Sequence, residues 1–148
     1  MPDLYRPLLQ IATFCQTALL ETSGVLSIIR CIDRYTVQSA TPEMPSTTVD
    51  LTLVVVFKSG FMRGKAMIGI RGFTPTQKAL APVEMPVLLE GDDRGPGLVI
   101  PMALTFDEEG LYWFDILADG ELVTRVPLRL MYQQIAQPFQ FGTQPLST

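Results

Sequence analysis

The chain of 148 residues contains no histidine. It therefore lacks the commonest general base and the usual partner of a catalytic serine or cysteine. The commonest metal ligand is missing with it. Cysteine is nearly as scarce: Cys15 and Cys31 are the two present, and two thiols alone do not make a zinc site. Charge is also sparse. Charged residues make up 18% and hydrophobic residues 47%. Such a balance excludes intrinsic disorder, which needs low hydrophobicity and high net charge. It also argues against a long solvated helix or coiled coil. Cations are outnumbered 11 to 15, for a formal charge of −4. Free nucleic acid and anionic membrane surfaces are thus not expected as partners.

Long apolar runs are missing as well. The stretch 8–20 is broken by Gln10, Thr13, Gln16 and Thr17, short of the 18 or so apolar residues of a membrane span. Residues 1–7 lack the basic start and unbroken apolar core of a secretory signal. A soluble, cytoplasmic protein is expected. There is no G-x-S-x-G, no Walker sequence and no G-x-G-x-x-G. Gly91 to Gly97 is glycine-rich but lacks the lysine and helix of a phosphate cradle. The expectation is a protein that is not an enzyme and holds no cofactor or metal.

What the chain has is alternation. Leu98, Ile100, Met102, Leu104 and Phe106 alternate with Val99, Pro101, Ala103 and Thr105. Tyr112, Phe114 and Ile116 alternate with Trp113, Asp115 and Leu117. A period of two marks strands with one face in a core. The same reading along the chain gives about eight strands, over 11–20, 25–33, 48–58, 63–72, 85–90, 97–106, 111–118 and 121–131. Residues 34–47 and 73–84 read as long connections. Many short strands predict an all-β, antiparallel β-sandwich or a barrel. Pro101 and Pro127 lie inside strand patterns, and proline is tolerated mainly at edges or bulges. A sandwich has edges and a closed barrel has none, so the sandwich is preferred. It spans 11–131, between an N-terminal extension (1–10) and a C-terminal tail (132–148).

Two hairpin registers follow from turn chemistry. A three-residue loop at Thr22-Ser23-Gly24, with Gly24 left-handed, pairs Leu20 with Leu26, Ala18 with Ile28 and Phe14 with Ile32. It also sets Cys15 opposite Cys31. That pair is either a redox-sensitive cross-strand bond or two ordinary thiols, and a reducing compartment favours the thiols. At the second hairpin a two-residue loop, Asp119-Gly120, would put Phe114 against Arg125. A three-residue loop from Ala118 pairs Phe114 with Thr124 and is preferred, because a one-residue slip turns every side chain to the wrong face.

In that register Trp113, the one tryptophan, points outward opposite Arg125. Arg129, Pro127 and Met131 lie further along the same face. A guanidinium over an indole is favourable by about 0.5–1 kcal/mol when exposed, and Trp, Arg and Met are enriched at interfaces. Trp113, Arg125, Arg129 and Met131 are therefore the candidate partner-binding or self-association residues. The acidic groups Glu90, Asp92, Asp93 and Asp107, Glu108, Glu109 match no calcium-loop spacing and read as loop solubility. In the tail, Phe139 and Phe141 alternate with Gln140, as in a docked extra strand, although a flexible end is the simpler reading.

Glu108-x-Gly110-x-Tyr112-x-Phe114 resembles the start of strand F in immunoglobulin-like sandwiches, where a tyrosine makes a corner. Tyr112 matches that tyrosine, while Phe114 stands where a cysteine would be, so the inter-sheet disulfide is absent. The segment 11–131 also resembles a family of small uncharacterised bacterial proteins. That resemblance rests on Phe14-Cys15 with Ala18, Gly24-x-Leu26-Ser27-Ile28, Gly110-x-Tyr112-x-Phe114, Asp119-Gly120 and Val126-Pro127-Leu128. It implies a β-sandwich and supplies no catalytic residues. The functional expectation is a non-enzymatic protein-interaction or assembly module, as a homo-oligomer or with a protein partner. The alternatives are a structural subunit of a phage-type or secretion-type assembly and a carbohydrate-type ligand-binding sandwich.

Overall fold

The computed structural model describes residues 4–136. Nine strands follow one another: β1 (Leu8–Leu20), β2 (Leu26–Ile32), β3 (Arg34–Ser39), β4 (Thr47–Lys58), β5 (Gly60–Phe73), β6 (Val83–Asp92), β7 (Gly97–Phe106), β8 (Gly110–Ala118) and β9 (Glu121–Gln134). No helix occurs among the described residues, so none is long and apolar enough to cross a membrane. Two sheets form, in the orders β2-β1-β4-β7 and β3-β9-β8-β5-β6. Alternating apolar residues from both meet in one core. The Phe14 and Phe114 rings cross it edge-on, with centroids 4.9 Å apart. Phe106 and Tyr112 repeat that geometry at 5.0 Å. Such pairs add about 0.5–1.5 kcal/mol beyond the burial of their area.

The ninth strand is β3, in a segment expected to be a connection. Its apolar residues are two, Tyr35 and Val37, between Arg34, Thr36 and Gln38. It pairs parallel with β9, from Arg34 beside Arg129 to Ser39 beside Gln134. The all-antiparallel expectation fails at this one pair. Pro101 sits on edge strand β7, as expected. Pro127 lies just before the first β9 residue that β3 pairs, where the missing N–H costs no ladder bond.

The first hairpin has the predicted register, Leu20 with Leu26 through Cys15 with Cys31. Gly24 is left-handed at φ 87°, and the Glu21 N–H donates to Val25 O at 2.8 Å. The second hairpin departs from expectation. Asp119 and Gly120 both have positive φ, 49° and 82°, as the two-residue type I′ turn requires. Ala118 pairs with Glu121, and a bulge between Ile116 and Leu117 then shifts the ladder. Phe114 thereby meets Val126, and Tyr112 meets Leu128. The bulge keeps Phe114 away from Arg125, the mismatch that favours a three-residue loop on sequence grounds. The turn is also tied to β5. Asp119 donates its N–H to Met67 O and its Oδ1 accepts the Met67 N–H, both at 2.8 Å.

The chain passes between sheets at Ser59, a fully buried polar residue. Its hydroxyl donates to Arg94 O at 2.6 Å and accepts the Glu90 N–H at 3.2 Å. The β4–β5 crossing is thus fastened to the β6–β7 crossing. At Tyr112 the hydroxyl donates to Glu108 O at 2.7 Å, tying the β7–β8 turn to the core.

Candidate functional site

β9 and β8 carry the predicted residues to the outward face of the five-stranded sheet. Arg125, Pro127, Arg129 and Met131 alternate there with buried Val126, Leu128 and Leu130. Trp113 lies between buried Tyr112 and Phe114, so period-two geometry sends its indole outward. It remains 38% exposed, and Met131 41%.

The cross-strand partners differ from those expected. Trp113 stands opposite Pro127 on one side and Phe73 on the other. Arg125 stands opposite Asp115 instead, with its Nε 3.2 Å from the carboxylate. The Asp115 side chain is 18% exposed against 61% for Arg125. The guanidinium is therefore held by a half-buried carboxylate rather than by the indole. Trp113 and Arg125 still share one groove of about 480 Å³, completed by Phe73, Gln77 and Asp115. Met131 is flanked by Thr36 of β3.

Neighbours that are distant in sequence extend this face. Arg71 of β5 lies across Asp115 from Arg125. Arg34 of β3 lies beside Arg129. Lys65 and Arg63 continue the same face of β5. Six cations, namely Arg34, Arg63, Lys65, Arg71, Arg125 and Arg129, thus face outward from this sheet. The carboxylates sharing the face are four, Glu84, Glu90, Asp92 and Asp115, and Asp92 lies 3.9 Å from Arg63. Arg34 is held 3.0 Å from Asp33. Hydrogen bonding and charge from Arg34 keep the Asp33 carboxyl below its ordinary value. Arg71, Arg129 and Lys65 make no ion pair among the described residues. Alternation alone located Trp113, Arg125, Arg129 and Met131. Arg34 and Arg71 were missed, because their neighbours lie tens of residues away and no local pattern marks them.

The remaining sequence candidates have other surroundings. Cys15 and Cys31 are opposed but free, one buried and one exposed. Burial pushes the Cys15 thiol above its ordinary value, and Cys31 adds to the shift. Glu108 accepts hydrogen bonds from the Thr76 hydroxyl at 2.9 Å and the Thr76 N–H at 3.3 Å. Those hydroxyl and amide donors, with Thr74, keep its carboxyl below the usual range. Glu109 accepts the Tyr132 N–H at 2.8 Å. The Tyr132 hydroxyl donates to the Thr41 and Ser39 carbonyls, so it fastens the 40–46 loop. Phe139 and Phe141 lie outside the described residues.

Residues 10–131 match the model of a family described as a family of unknown function, DUF6941. No curated protein matches the chain.

Proposed function

We infer that this chain, which belongs to the family DUF6941, is a non-enzymatic protein-interaction module. Its docking face is the outward side of the five-stranded sheet, and its partner is an acidic protein segment carrying apolar side chains. One observation carries this reading. A chain with a net charge of −4 places six cations against four carboxylates on one face, around exposed Trp113 and Met131. Complementary charge steers the encounter. A central aromatic with flanking arginines is the composition of an interface hot spot. The Pro127–Trp113–Phe73 row offers the apolar floor, and Arg71 and Arg129 offer donors that have no ion-pair partner among the described residues.

The architecture is read as a sandwich of immunoglobulin-like character, supported by the Tyr112 corner bond to Glu108. The setting is read as cytoplasmic, on the sequence grounds above.

Trp113 is the one tryptophan, so its fluorescence reports on this face directly. Titration with a peptide of alternating glutamate and leucine is expected to shift or quench the emission. The response is expected to weaken with added salt, because exposed charges are screened beyond roughly 10 Å at 0.1 M. Arg129→Glu with Arg71→Glu is expected to abolish it, while a lysine–leucine peptide gives none. Equal responses to both peptides, or none to the acidic one, sink the proposal.

A further inference from the structure

β4 is an inner strand of its sheet, yet it has an open edge over residues 47–51. Its ladder with β7 extends from Thr47 beside Phe106 to Val56 beside Gly97. Its ladder with β1 begins only at Thr52, beside Cys15. Beyond Cys15, β1 stays with β2 as far as Leu20 with Leu26, so the first hairpin turns away from β4. Gln16 and Arg30 drop out of the hairpin ladder at that point, and Arg30 is left-handed at φ 58°.

Backbone parity says which groups are left open. The Phe57 N–H donates to Pro96 O at 3.0 Å, on the β7 side. Bonding direction alternates along a strand, so Val55, Leu53, Leu51 and Val49 also bond toward β7. Pro101 agrees: it stands opposite Thr52, at a position without hydrogen bonds, where its missing N–H costs no ladder bond. Thr48 and Asp50 therefore turn their N–H and C=O groups to the open edge. They have no ladder partner there among the described residues.

A cavity of about 550 Å³ lies against this edge. Its inner lining is apolar, from Val49 and Leu51 of β4, Ile32 of β2 and Tyr35 of β3, all packed with the core. Gln16 and Asp50 stand exposed at its rim. A strand added here needs apolar side chains inward and a polar one outward.

We propose that residues 137–148 of the chain, which lie outside the described residues, supply that strand. Phe139-Gln140-Phe141 adds to the β4 edge, with both rings in the cavity and Gln140 outward beside Asp50. Period two puts residues 139 and 141 on one face. Pro138 stands just before them, where a strand tolerates proline. The segment carries no charged side chain, so its insertion leaves no charge against the core. Its starting point is also suitable. The Ile135 N–H donates to Ser39 O at 2.9 Å, so the chain leaves β9 at the end of β3, where the 40–46 loop departs for Thr47. Twelve residues, 137–148, follow Ala136. Extended, they reach roughly 40 Å, while the open edge spans about 16 Å. Tethering gives the segment an effective concentration in the mM range when its length matches the span, which favours it over a free peptide. The main-chain bonds are those of strand addition to a sheet edge.

Nuclear magnetic resonance on the full chain tests this. Ring protons of Phe139 and Phe141 are expected to show Overhauser contacts with the methyls of Val49 and Leu51. The Thr48 and Asp50 amides are expected to exchange slowly. Phe139→Asp with Phe141→Asp is expected to speed their exchange by roughly tenfold or more, about 1.4 kcal/mol of local protection, while Leu53 keeps its own. Both signals are expected to persist on dilution. Fast exchange of Thr48 and Asp50 in the wild type, missing ring contacts, or equal exchange in the variant overturns the proposal. Protection that is lost on dilution assigns the edge to a second copy and overturns it as well.

Discussion

Ser59 shows how much one small side chain holds. Its hydroxyl bridges a carbonyl and an amide of the neighbouring crossing from a site with no solvent exposure. Removing it leaves the Glu90 N–H without its acceptor. Ser59→Ala is expected to lower stability by about 1–3 kcal/mol, the cost of a buried polar group left unpaired. Urea unfolding measures this, and an unchanged midpoint contradicts it. The cysteines differ in a chemically readable way. Cys15 is buried and its thiol holds its proton to higher pH, while Cys31 is exposed. The thiolate is the reactive form, so an alkylating reagent near neutral pH is expected to modify Cys31 and spare Cys15, read by peptide mass. The sign for stability follows from the same shift. A raised value in the folded state stabilises below the unfolded thiol's value, and that contribution is lost as pH rises through the folded one.

At the scale of elements, the two hairpins show where local signals suffice. Gly24 after Thr22-Ser23 fixed its turn, and apolar residues on both arms admitted one register. Asp119-Gly120 was an equally clear turn signal, but the ladder beyond it depends on the bulge at Ile116/Leu117. That bulge buries Ile116, Leu117 and Ala118 in succession, and a strict period of two has no place for it. The candidate face was legible to the same depth. Trp113, Arg125, Arg129 and Met131 alternate along two adjacent strands. Their neighbours on β3 and β5 depend on pairings that local patterning does not encode. β3 was illegible for that reason: two apolar residues beside a distant parallel partner leave little periodicity. Gly120 tests the turn itself. Nothing stands within 4 Å of where a Cβ would be, yet φ is 82°. Gly120→Ala is therefore expected to destabilise by about 1–2 kcal/mol through backbone conformation alone. A neutral effect on thermal unfolding rules out the type I′ turn.

Across the whole molecule, the cationic face occupies the five-stranded sheet, apart from the β2-β1-β4-β7 sheet. The long-range ladders also set how the chain folds. β1 pairs with β4, β4 with β7, β5 with β8, and β3 with β9. Proteins dominated by such pairings fold in milliseconds to seconds. Stopped-flow refolding followed by Trp113 emission is expected to fall in that range, and microsecond folding would contradict the topology.

The β3–β9 pair has a consequence during synthesis. Arg34 and Arg129 are neighbours in the sheet and 95 residues apart in the chain. At about 5–20 residues per second, roughly 5–20 s separate their translation. Throughout that interval Tyr35 and Val37 have no ladder to join, because the strand that receives them has not been made. The nascent chain must keep an early strand idle until almost the last one emerges, so the five-stranded sheet is completed only near the end of translation.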